Sequence, residues 1–153
     1  MHTIWIIAHA ATATIALVCA VLALKAPRLV AAHAAFTIAM AATLVPALWL
    51  GRTDNPLALS LVFLGLLGLA VVMSYRGWRA WRVRPRPGQP LGPQYIAAVG
   101  FNVIGLVTGF VTVSVLRLGW GTIAVVVAAV TIPAAGHYLL DRAKESARAT
   151  IPG

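Results

Sequence analysis

The sequence predicts an all-α fold, a polytopic membrane bundle of five transmembrane helices with the N-terminus outside and the C-terminus cytoplasmic. Three observations carry this expectation. Of 153 residues, 61% are hydrophobic and only 10% charged, whereas a soluble domain carries about 25% charged residues. The apolar residues gather in five runs without Asp, Glu, Lys or Arg. The twelve Lys and Arg all lie outside those runs, in the connections and the C-terminal tail.

The runs cover residues 4–24, 29–50, 57–75, 95–116 and 120–140. Each has about the length a ~30 Å hydrocarbon layer demands, roughly 20 residues at ~1.5 Å rise per residue. Backbone polar groups need partners inside lipid, so each run reads as a helix. The chain is one domain, residues 1–153. Its first run has no basic region ahead of it and no small-residue cleavage site, and is expected to be retained as a span.

The connections punctuate these helices. Pro27 disfavours helix in the residue before it, so residues 25–28 read as a tight turn. Gly51 ends the second helix, Asn55 caps the third, and Pro56 opens it. Residues 117–119 join the last two spans so tightly that an antiparallel hairpin is expected. The longest connection, 76–94, begins basic and aromatic and ends Pro-rich and extended. A short tail, 141–153, closes the chain.

Charge sets the orientation. Lys25, Arg28, Arg76, Arg79, Arg82, Arg84, Arg86, Arg142, Lys144 and Arg148 fall on one side of the five spans, and only Arg52 and Arg117 on the other. Positive charge marks the cytoplasmic side. Trp5, Trp49 and Trp120 fall at the opposite helix ends, while Tyr75, Trp78, Trp81, Tyr95 and Tyr138 fall at the cytoplasmic ends, as interface-seeking rings should. The net charge of +9 raises a nucleic-acid reading, but basic residues scattered between apolar runs form no face for one. Arg76, Trp78, Arg79, Trp81 and Arg82 make a candidate patch for anionic lipid or an acidic partner, each cation contributing about 1 kcal/mol near an anionic surface; plain anchoring and topology explain the same residues.

Polar residues inside the spans are the remaining candidates. His9 lies near the outer face and His33 near the inner one, so they cannot share a ligand. His33, Asn102 and His137 lie at similar inner depth, with Ser74, Tyr75, Tyr95 and Tyr138 nearby. Two imidazoles at one depth are the ligand set of a b-type haem iron; they also suit a quinone headgroup or a proton relay. Hydrogen bonding between helices, at ~0.6–2 kcal/mol each, is the simpler account and is favoured over a cofactor. His2 and His9 share a helix face but make a poor metal site, and no metal site is expected. Cys19, the single cysteine, reads as a small packing residue. Gly105 and Gly109 form a GxxxG expected to pack helices closely, as are the stripes Ala31, Ala35, Ala39, Ala42 and Ala129, Pro133, Gly136. Pro46 and Pro133 are expected to bend their helices.

Two stretches, the basic turn and helix from Lys25 through His33 to Met40 and the segment Tyr75-Arg76-Gly77-Trp78-Arg79-Ala80, resemble uncharacterised families of small bacterial integral membrane proteins of unknown function. Those families tend to carry Arg directly after the His and Gly about a turn later, where this chain has Ala34, Ala35 and Phe36. The resemblance implies a multi-pass protein of a bacterial cytoplasmic membrane and supplies no activity.

Three functions follow as expectations. The first is a non-catalytic membrane subunit or accessory protein packing against lipid, other membrane subunits or a second copy. The second is a small redox protein holding haem or quinone at His33, His137 and Asn102. The third, a solute transporter or channel, is weakened by the lack of an intramembrane carboxylate. No catalytic residues are assigned, because Asp54, Asp141 and Glu145 are the only acids and all lie outside the apolar runs.

Overall fold

The structure, a computed structural model, describes residues 2–51 and 57–149. Every regular element in it is helical: α1 (His2–Ala23), a 3-10 turn (Pro27–Leu29), α2 (Val30–Gly51), α3 (Leu57–Arg82), α4 (Pro93–Arg117) and α5 (Gly121–Ala149). Arg52, Asp54, the Asn55 cap and Pro56 lie outside the described residues. Four helices are long and apolar enough to cross a membrane, over Thr3–Ala23, Pro27–Leu50, Pro93–Val115 and Ile123–Ala149. The helix α3, whose side chains are described only from residue 64 onward, is not among those four.

Local chemistry sets the ends. Lys25 and Ala26 close α1 by donating their N–H groups to the Leu22 carbonyl. Pro93 opens α4, where its missing N–H costs nothing. Gly119 adopts φ +72° beyond the end of α4, and Trp120 N–H reaches back to the Val115 carbonyl at 3.4 Å. This is the αL closure with a 6→1 bond that glycine permits at a helix C-terminus. The chain reverses there, and α5 packs back along α4. Both α3 and α5 run past their expected ends, to Arg82 and Ala149. The residues beyond the apolar runs include Arg79, Ala80 and Arg82 or Ala143, Lys144 and Ala147, good helix formers that need no apolar surroundings.

Four helices close a ring. The first, α1, packs on α2 and α4, α2 also packs on α3, and α3 packs on α4. Outside the ring, α5 lies against α4, so α4 is the hub and none of residues 95–112 on it is exposed. The inward face of α1 is rich in alanine: Ala13, Ala16, Ala20 and Ala23 are buried. Small side chains at three- and four-residue spacing let neighbouring backbones approach closely. Met40, Met73 and Leu106 fill the space around Ala13 and Ala16.

One expected packing face does not pack within the bundle. Ala31, Ala35 and Ala42 on α2 are exposed. The buried face is the opposite one, with Val30, His33, Ala34, Thr37, Met40 and Ala47. His33 and Thr37 carry the polar atoms of this helix segment, and turning them inward forces the alanines out. On α5, Ala129 is likewise exposed, while Gly136 and Leu140 face α4.

Candidate functional site

The polar centre of the bundle is built by α1, α2, α3 and α4 around His33. Its Nδ1 lies 3.0 Å from the Ala16 carbonyl of α1. A carbonyl only accepts, so Nδ1 carries the proton and Nε2 presents a lone pair. Asn102 Nδ2 of α4 donates to that lone pair at 2.9 Å and donates its second hydrogen to the Met73 carbonyl of α3, also at 2.9 Å. The two amide hydrogens are thereby spent, and the amide orientation is settled by its partners. Thr37 donates to the His33 carbonyl at 2.8 Å, and Ser74 to the Ala70 carbonyl at 2.8 Å. His33, Thr37 and Asn102 are all completely buried.

Two further side chains tie helices together. Tyr95 donates its hydroxyl to the Ala23 carbonyl at 2.9 Å, and His9 Nδ1 donates to the Met40 carbonyl at 3.0 Å. Both histidine contacts and the tyrosine contact end on backbone oxygens of facing helices, and for His33 and Tyr95 the carbonyl belongs to the alanine face of α1. A surface with side chains that short leaves its backbone oxygens within easy reach. Tyr95→Phe keeps the ring and deletes one bond. It is expected to destabilise the bundle by about 1 kcal/mol in a denaturation titration in detergent; no change would show that the hydroxyl bond carries no net stability.

The predicted layer is therefore divided. His33 and Asn102 meet, and Ser74 and Tyr95 lie within the same ring of helices. His137 does not join them: it is exposed on α5, with its ring 6.3 Å, centroid to centroid, from that of Phe101 on α4. Tyr75 and Tyr138 are also exposed. In this arrangement a ligand at His33 Nε2 must first displace the Asn102 amide. The carboxamide oxygen of Asn102 and the hydroxyl of Thr112 are buried and make no hydrogen bond to a described residue. No group of three or more His, Cys, Asp or Glu suited to a metal occurs among the described residues. Cys19 is half-buried with a free thiol.

At the end of the bundle where α3 finishes, arginines and aromatic rings interleave. The Arg82 guanidinium lies 5.0 Å from the Trp78 centroid and that of Arg84 lies 5.7 Å from Trp81, while Tyr75 and Trp78 approach at 6.1 Å. Helical spacing aligns Tyr75, Trp78 and Arg82 on one stripe, with Arg79 and Trp81 exposed beside them. Arg76 departs from this group. Its guanidinium lies 4.1 Å from the centroid of Phe101 on α4, a contact between helices. Across the same end, Arg142 lies 4.9 Å from Tyr138 on α5.

Glycine contacts differ from the expected GxxxG. A Cβ at Gly105 would sit 2.9 Å from Met73 Sδ, so this glycine does admit its neighbour, but Gly109 has open space around it. The close approaches elsewhere are at Gly77 against Ala34 and Asn102, Gly100 against Leu140, and Gly136 against Ile104. The alanine face of α1, with its spacing of three and four residues, was a readable signal in the sequence, whereas Gly77 falls in the stretch expected to be a connection. Phe101 carried no such signal, because its role depends on helices distant in sequence.

No protein family model matches the chain, and neither the curated proteins nor the solved structures include one significantly similar to it.

Proposed function

We propose that this protein is a non-catalytic integral membrane protein, a subunit or accessory chain that packs against other membrane proteins or lipid, with its N-terminus outside and its C-terminus in the cytoplasm. The observation that carries the reading is how the polar side chains of the bundle are used. His9, His33, Tyr95 and the Asn102 amide nitrogen each end on a neighbouring helix, so they act as fasteners between helices. Meanwhile α5 leaves Ile123, Val126, Val127, Val130 and Leu139 exposed. A helix apolar on its outer side is at home against lipid or another apolar helix. The side of the bundle bearing ten of the twelve basic residues suits the cytoplasmic leaflet.

Two measurements test this. A fluorescent reporter fused after Gly153 should light up in the cytoplasm, and alkaline phosphatase fused there should stay inactive; the reverse pattern would overturn the orientation. Extraction into native nanodiscs should recover the chain with a membrane partner or a second copy of itself. A strict monomer that recovers neither would remove the subunit reading, and an absorption band in the Soret region that survives washing would replace it with a haem protein.

A further inference from the structure

Phe101 occupies a particular sector of α4. On one side of it lie the positions that meet α3, with Gly105 against Met73 and Asn102 against Gly77; on the other lie those that meet α5, with Gly100 against Leu140 and Ile104 against Gly136. The side chains of Arg76 from α3 and His137 from α5 both reach the Phe101 ring from these opposite sides. Each helix packs on α4, so the space between them is a groove floored by α4, with Phe101 near its basic end. Going away from that end, Val72 stands four residues before Arg76, and Ala134 and Val130 stand three and seven before His137. All three are exposed, and helical spacing continues them along the two walls.

Among the described residues Arg76 makes no ion pair, and the acid beside His137, Asp141, is engaged elsewhere. The ion pair found among the described residues joins Lys144 to Asp141. Arg76 spends only the face of its guanidinium, on the Phe101 ring. The in-plane N–H donors of that group are the ones that match phosphate oxygens. His137 adds a second nitrogen-bearing ring on the opposite wall.

We infer that this groove seats one anionic phospholipid, its phosphate held between Arg76 and His137 and an acyl chain running along Val72, Ala134 and Val130. The assignment rests on the membrane reading above and deepens it. A peptide would satisfy the cation, but the walls continue as exposed apolar surface along α3 and α5, where an acyl chain needs no hydrogen bonds and a peptide backbone in lipid would lack them. The arginines interleaved with Trp78 and Trp81 differ from this arrangement: Trp81, Arg82 and Arg84 line a shallow, open depression at the exposed end of α3.

The test is native mass spectrometry of the full chain in neutral detergent, titrated with phosphatidylglycerol, phosphatidylcholine or inorganic phosphate. The wild type should retain one phosphatidylglycerol in preference to phosphatidylcholine. Arg76→Gln should weaken that retention about tenfold, the loss of one charge-assisted contact, and Arg79→Gln should leave it unchanged. His137→Gln, at an exposed position, should weaken it severalfold and carries the test if Arg76→Gln does not fold. Equal losses for Arg76→Gln and Arg79→Gln, or equal retention of the two lipids, would overturn the site in favour of diffuse attraction. Displacement of the lipid by millimolar inorganic phosphate would overturn it in favour of a simple anion site. Topology reporters and partner recovery distinguish these outcomes from failure of the membrane reading, since neither depends on Arg76.

Discussion

His33→Leu is expected to destabilise the bundle by about 2–3 kcal/mol, read as a shift in unfolding midpoint in mixed micelles or by steric trapping. The substitution removes the bond to the Ala16 carbonyl and, more seriously, leaves an Asn102 amide hydrogen facing an apolar side chain. A buried donor left without its partner costs about 1–3 kcal/mol, and bonds between helices in membranes contribute ~0.6–2 kcal/mol each. The shared bond makes a sharper prediction. Asn102→Leu alone should cost a similar amount, but the double variant should cost less than the two together by about 1 kcal/mol, because the orphaned group disappears. Strict additivity would mean that the His33–Asn102 contact at 2.9 Å carries no coupling. His33→Gln, which retains a donor and an acceptor, should recover part of the loss.

Gly77→Leu is expected to be at least as damaging, by about 3 kcal/mol. A Cβ at this position already lies 3.3 Å from Asn102 Nδ2 and 3.4 Å from the Ala34 Cα. Asn102 is held by two hydrogen bonds, and Ala34 presents backbone that has no rotamer to change. Overpacking of this kind costs about 1–3 kcal/mol, and pushing α3 from α2 and α4 strains the Asn102–Met73 bond as well. Gly109→Leu is the control: nothing lies within 4 Å of a Cβ there, so its stability should stay within about 0.5 kcal/mol of the wild type. If the two variants behaved alike, the helix arrangement around Asn102 would be wrong.

The contrast between Gly77 and Gly109 marks where sequence reasoning stops. The pair Gly105 and Gly109 matches a known spacing, yet only Gly105 meets a neighbour. Gly77 sits in a basic, aromatic stretch that read as a connection, and its importance comes from Ala34 and Asn102, residues far away in the chain. In the same way His33 and His137 shared a depth, which is a one-dimensional quantity. Their separation depends on the order of helices around the bundle, where α2 belongs to the ring and α5 packs outside it on α4.

Five helices, their approximate limits and the segregation of cations to the connections were determined by the sequence alone. Run length, prolines, glycines and backbone hydrogen bonding are local matters. Which face of each helix turns inward was decided only by the tertiary structure. A soluble helix announces its buried side by contrast with a polar one; these helices are apolar all round, so Ala31 and Ala35 on one face of α2 looked as suitable for packing as Val30 and Ala34 on the other. The choice fell to where His33, Thr37 and Asn102 find partners, and those partners are backbone oxygens and side chains brought close by other helices.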